Sequence, residues 1–63
     1  MKELDEYYTV SDVQHILKIG RRKAYKLVNQ PDFPKVRIGH DIRIPKSTFE
    51  DFMTHILYTN YEL

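Results

Sequence analysis

Apolar residues recur along this chain at two different spacings, and the change of spacing divides it into elements. Val10, Val13, Ile16 and Leu17 fall three and four apart, so one stripe of a first helix faces a core while Gln14, His15 and Lys18 look outward. Thr9-Val10-Ser11-Asp12 sets a hydroxyl three residues before an acid, the arrangement in which two side chains satisfy the orphan amides of a helix start. The pattern breaks at Ile19-Gly20. Gly20 is a tolerable N-cap for a second helix, whose narrow apolar face is Ala24, Leu27 and Val28 and whose end falls near Asn29-Gln30, before Pro31.

Pro31-Asp32-Phe33-Pro34 reads as a rigid turn with Phe33 as an apolar plug. Val36, Ile38, Ile42 and Ile44 then alternate with Arg37 and Arg43, the period of two expected of a half-buried hairpin. A three-residue loop, Gly39-His40-Asp41, opposes Ile38 to Ile42 and Val36 to Ile44, so that all four share one face. That register also sets Arg37 across from Arg43, a like-charge pair that costs stability unless an anion sits beside it or the two side chains splay into water. Ser47-Thr48-Phe49-Glu50 repeats the capping-box spacing, and Phe49, Phe52, Met53, Ile56 and Leu57 follow as the core stripe of a third helix. Tyr7 and Tyr8 read as aromatic closures of the core.

The second helix carries the most informative free face. At 100° per residue, Arg22, Lys26 and Asn29 lie opposite the buried direction, with Lys23 and Gln30 on one flank and Tyr25 on the other. Charge along the chain agrees. The net formal charge is only +1, but nine of the ten Lys and Arg residues lie between positions 18 and 46, where only Asp32 and Asp41 oppose them. A middle so basic between two acidic ends points to an anionic partner, nucleic acid ahead of a membrane, because no basic helix here also has a long aliphatic face. A plain solvated basic face is the alternative.

At 63 residues the chain has room for one small core, which excludes large cofactor folds. With no cysteine it has neither disulfides nor thiolate metal sites. No apolar run approaches the roughly 20 residues of a membrane span, and the opening MKELDEYY is acidic where a secretory signal is basic and then apolar, so a soluble, cytoplasmic protein is expected. The three histidines have no metal-ligand spacing, the two glycines make no phosphate loop, and no nucleophile with a base is in view. No metal, cofactor or enzymatic activity is expected.

A helix, a tight break, a second helix with a basic free face and a basic hairpin together fit duplex DNA: Arg and Lys can bond guanine edges and Asn adenine in the major groove, while the hairpin reaches phosphates or the minor groove. The stretch YYTVSDVQHILKIGRRKAYKLV resembles the opening of the excisionase-like, MerR-related helix-turn-helix family, and FPKVRIGHDIRIPKSTFEDFM resembles its wing and following helix, as in AlpA-type regulators. The resemblance covers residues 7 to 53. It implies a small α+β winged helix-turn-helix fold, with a β-hairpin wing and a C-terminal helix. It also implies a reading helix carrying Arg21, Arg22, Lys23, Tyr25 and Lys26, and a wing carrying Arg37, His40 and Arg43. The free-face geometry adds Asn29. Where the family usually has a small residue or glycine this chain has Lys18, where it has a hydroxyl cap this chain has Gly20, and Arg22 and Lys23 replace its early hydroxyl residues.

The resemblance further implies a job: an excisionase, or recombination directionality factor, of a prophage or integrative element, binding and bending attachment-site DNA to assist an integrase. A small AlpA- or MerR-like transcription regulator is the nearest alternative. From another class, a protein-interaction inhibitor would use the same basic face against an acidic protein. Residues 1–57 are expected to form the DNA-binding domain. Residues 58–63 are expected to form a tail, either frayed or a contact segment for an integrase or a neighbouring protomer through Tyr58, Tyr61 and Leu63.

Overall fold

A computed structural model of the chain describes residues 6–63; the acidic start, with Lys2, Glu3 and Asp5, lies outside the described residues. The described chain runs β1 (Tyr7–Tyr8), α1 (Val10–Leu17), α2 (Arg21–Val28), β2 (Val36–Ile38), β3 (Asp41–Pro45) and α3 (Lys46–His55). The three strands form an antiparallel sheet in the order β1-β3-β2. It is a small α+β winged helix-turn-helix, as the family resemblance implies.

The start of α1 follows from its cap. Thr9 accepts from the Asp12 amide at 3.1 Å, and the Asp12 carboxylate accepts from the Thr9 amide at 2.9 Å. That second bond, more than any other influence, holds the Asp12 pKa below the usual aspartate value. Helix α1 ends at Lys18, which takes the left-handed conformation (φ 56°) and turns the chain through Ile19 into the Gly20 N-cap of α2. The apolar stripe of α1 is shorter than its periodicity suggests: Val10 and Val13 are buried, Leu17 is half-buried against the core and Ile16 is exposed, lining a shallow cleft beside Tyr7 and Tyr8.

The core is one cluster: Val10, Val13, Ala24, Leu27, Val28, Phe33, Ile44, Phe49 and Phe52. Phe33 does plug the gap, its ring edge-on to both Phe49 (6.2 Å between centroids) and Phe52 (5.1 Å). The row continues in both directions, to Tyr8 against Phe49 at 5.4 Å and Tyr61 against Phe52 at 5.5 Å. Edge-to-face pairs of this kind match the positive rim of one ring to the negative face of the next. Tyr8 is half-buried as expected, whereas Tyr7 stays exposed.

The hairpin register differs from the sequence expectation. The turn is Gly39-His40 rather than Gly39-His40-Asp41, and the pairs are Val36 with Arg43, Arg37 with Ile42 and Ile38 with Asp41. Gly39, at φ 61°, supplies the positive angle that a two-residue turn needs at its first position, so no third loop residue is required. Arg37 and Arg43 therefore lie on opposite faces, and the like-charge pair does not form. Ile44 is fully buried and Ile42 half-buried on the core face of the central strand, while Val36 and Ile38, on the other face of an edge strand, are exposed.

Helix α3 also starts differently. Its N-cap is Pro45, with no side-chain cap, because β3 runs straight into the helix; Thr48 instead donates its hydroxyl to the Pro45 carbonyl at 3.0 Å. Phe49 and Phe52 are buried and Met53 is half-buried, but the helix ends at His55 and Leu57 falls outside the core stripe, exposed. The strand Tyr7–Tyr8 carries no signal in the sequence pattern. A two-residue strand has no period to detect, and it exists here because β3 offers it a ladder, which the Lys46 amide extends by donating to the Glu6 carbonyl at 2.9 Å. Beside it Lys46 pairs with Glu6, lowering the Glu6 pKa and raising its own, and lies 5.0 Å from the Tyr8 ring centroid.

Candidate nucleic-acid interface

Burial of Ala24, Leu27 and Val28 fixes the rotation of α2, and Arg21, Arg22, Lys23 and Lys26 all stand exposed on the rest of its surface. Half of this eight-residue helix is cationic, and three of the four cations occupy its first turn, where no acid accompanies them. A helix N-terminus carries the positive end of the backbone dipole, so each cation there works against folding, typically by about 0.3–1 kcal/mol. Nor does the Gly20 cap contribute a side-chain hydrogen bond. Packing and helix chemistry would choose acids at these positions; an anionic partner explains the choice actually made.

The sequence-expected residues fall into three groups. Arg21, Arg22, Lys23 and Lys26 line one shallow groove along α2, about 510 Å³ in volume, with Gly20 and Leu63. Tyr25, His40 and Arg43 meet at a smaller cleft of about 220 Å³ between the start of α1 and the tip of the hairpin. Asn29 and Arg37 meet each other. As C-cap of α2, Asn29 donates from Nδ2 to the Tyr25 carbonyl at 2.9 Å and accepts at Oδ1 from Arg37 Nη2 at 2.7 Å. Both ends of the amide are thereby engaged, and the bridge ties the wing to the end of the helix. Arg43 is half-buried, its Nη1 donating to the Ile42 carbonyl at 3.0 Å, whereas His40 is exposed at the turn. Arg21 lies 6.0 Å from the ring centroid of Tyr25, one turn further along α2, and the two line a cleft with Ser11 and Gln14 of α1.

Sequence reasoning did not single out the residues of α1 that join this surface. Ser11 is exposed and lines both the cleft beside His40 and Arg43 and a neighbouring one beside Arg21 and Tyr25. Its place in the first turn of a capped helix was visible; its proximity to the wing depends on the long-range packing of β3 under α1. Besides Arg37, Lys35 and Lys46 of the basic stretch make structural contacts: Lys35 Nζ donates to the Gln30 carbonyl at 3.0 Å, and Lys46 is the partner of Glu6. Among the described residues no cluster of His, Asp or Glu has metal-binding geometry, and no helix is long and apolar enough to cross a membrane.

A helix pair with a three-residue break, a cationic second helix and a hairpin pinned beside it together define a winged helix-turn-helix DNA-binding domain. Comparison with family models agrees: residues 7–55 match the helix-turn-helix domain, and the chain belongs to that family, whose members bind double-stranded DNA and are typically non-enzymatic. No curated protein and no solved structure matches the chain.

Proposed function

We propose that this protein binds duplex DNA in a sequence-specific manner, with α2 in the major groove and the β2–β3 wing on the backbone or in the minor groove. The observation that carries this reading is the cationic outward face of α2, loaded into the helix turn where folding disfavours it. Arg22 and Lys26 are the base readers. Arg21, Lys23, Tyr25, His40 and Arg43 hold phosphates, and the Asn29–Arg37 bridge sets the angle between helix and wing. Residues 1–57 form the DNA-binding unit and 58–63 its tail.

The finer role is that of an excisionase, a directionality factor that binds and bends attachment-site DNA for an integrase. It is supported by the resemblance of residues 7 to 53 to excisionase-like proteins. The exposed Leu57 and Tyr58 after α3 also offer an apolar surface to an integrase or a neighbouring protomer.

The test begins with binding to a random duplex across a salt series, where four to six phosphate contacts give a log–log slope of roughly −4 to −5. A flat response with no low-salt binding refutes the DNA reading. On a selected site, Arg22→Ala or Lys26→Ala should cost about 1–3 kcal/mol of specific binding, whereas Arg43→Ala should weaken all sequences alike. Bending of that site, together with integrase-dependent excision of a reporter element, distinguishes an excisionase from a transcription regulator.

A further inference from the structure

The tail does not extend away from the domain. After α3 the chain reverses at Tyr58, which takes the left-handed conformation (φ 67°), and the Thr59 amide donates to the Ile56 carbonyl at 2.9 Å to close the turn. The returning segment is then anchored by one residue. The half-buried ring of Tyr61 lies edge-on to Phe52, and its hydroxyl donates to Asp32 Oδ1 at 2.6 Å, just beyond the end of α2. The hydrogen bond to Asp32 in turn raises the Tyr61 pKa. From that anchor the chain reaches Leu63, which lines the same groove as Arg21, Arg22, Lys23 and Lys26. The end of the segment, at Leu63, therefore lies beside the side chains of α2 that the proposed function assigns to DNA. It brings one acid, Glu62, and no cation.

A major groove about 12 Å wide accommodates a helix about 10–12 Å across and little else. A chain segment lying beside the cationic side chains of α2 and the edge of a duplex cannot share that space. We propose that residues 59–63 are an autoinhibitory strap: docked through Tyr61 they obstruct the reading helix, and DNA binds the form in which they have swung away. This inference rests on the DNA-binding reading. Apparent affinity is then the intrinsic affinity scaled by the fraction of molecules with the strap open.

The experiment compares binding of one fluorescent duplex by the wild-type chain, Tyr61→Phe, Glu62→Gln and a variant lacking residues 59–63, each first checked for a wild-type melting transition. Tyr61→Phe keeps the ring and the charge but loses the bond to Asp32, and should bind about two- to tenfold tighter. The shortened variant should bind at least as tightly as Tyr61→Phe, with a larger gain than Glu62→Gln alone. Wild-type affinity in both Tyr61→Phe and the shortened chain, weaker binding by the shortened chain, or a gain fully reproduced by Glu62→Gln overturns the strap. Absence of low-salt binding in all four proteins overturns the DNA reading itself.

Discussion

Lys18 and Lys23 both stand where folding alone would favour another residue. Lys18 occupies a left-handed position that costs an L-residue roughly 1 kcal/mol and that glycine adopts freely. Lys18→Gly should therefore raise the stability of the domain by up to about 1 kcal/mol in chemical denaturation, the gain being trimmed by the greater freedom of glycine in the unfolded chain. Lys23 stands in the first turn of α2, and Lys23→Glu replaces an adverse charge with a favourable one. Stability should rise by about 0.3–1 kcal/mol while duplex affinity falls about tenfold or more, a pair of opposite shifts that melting and titration of the same sample would read. A loss of both stability and binding would mean that Lys23 serves the fold.

At the scale of elements, α1 and the hairpin divide what was legible from what was not. The cap of α1 and the buried triplet of α2 are local chemistry, and the spacing of Thr9, Asp12, Ala24, Leu27 and Val28 was enough to place them. Hairpin register is decided elsewhere. Alternation shows that Val36, Ile38, Ile42 and Ile44 are equivalent in pattern, but only the position of β3 in the middle of the sheet makes Ile44 core and leaves Ile38 63% exposed. The same limit hid the bridge from Asn29 to Arg37, since that contact needs Arg37 on the core side of the wing. The α1 cap also has a pH signature. Because the folded pKa of Asp12 lies below its unfolded value, its contribution to stability is complete above the ordinary carboxylate range, about pH 4, and is lost as pH falls through the lowered value. Thr9→Ala keeps the backbone amide that lowers the Asp12 pKa, so it should destabilise by about 1 kcal/mol through the lost hydroxyl cap and retain most of the acid sensitivity, whereas Asp12→Asn, which has no carboxylate to titrate, should show a shallower fall of melting temperature on acidification than the wild-type protein.

For the molecule as a whole, the core is small enough that one side chain decides whether it folds. A domain of this size has roughly 3–9 kcal/mol of stability, and Ile44, fully buried in the central strand, touches both the helices and the sheet's own packing. Ile44→Ala should cost about 2–5 kcal/mol and leave a protein that is largely unfolded near body temperature, seen as loss of the near-ultraviolet dichroism of the aromatic row. Retention of a sharp transition within a few degrees of wild type would show that the cavity collapses. The candidate interface was legible as a set of cations but not as a surface. Local rules gave the face of α2; the three groupings around Leu63, Tyr25 and Asn29 bring together residues 8 to 43 positions apart.

The pairing of β1 with β3 has a kinetic consequence. The three helices and the hairpin close over short stretches of chain, but Tyr8 meets Ile44 only after a much longer loop has been gathered in, and the entropy of that closure must be met before the contact returns anything. The N-terminal strand is thus the last element to zip up and the first to peel away. Amides along this seam, including that of Lys46 bonded to Glu6, would exchange with solvent through a low-energy partial opening, while those of α2 wait for the whole domain to unravel.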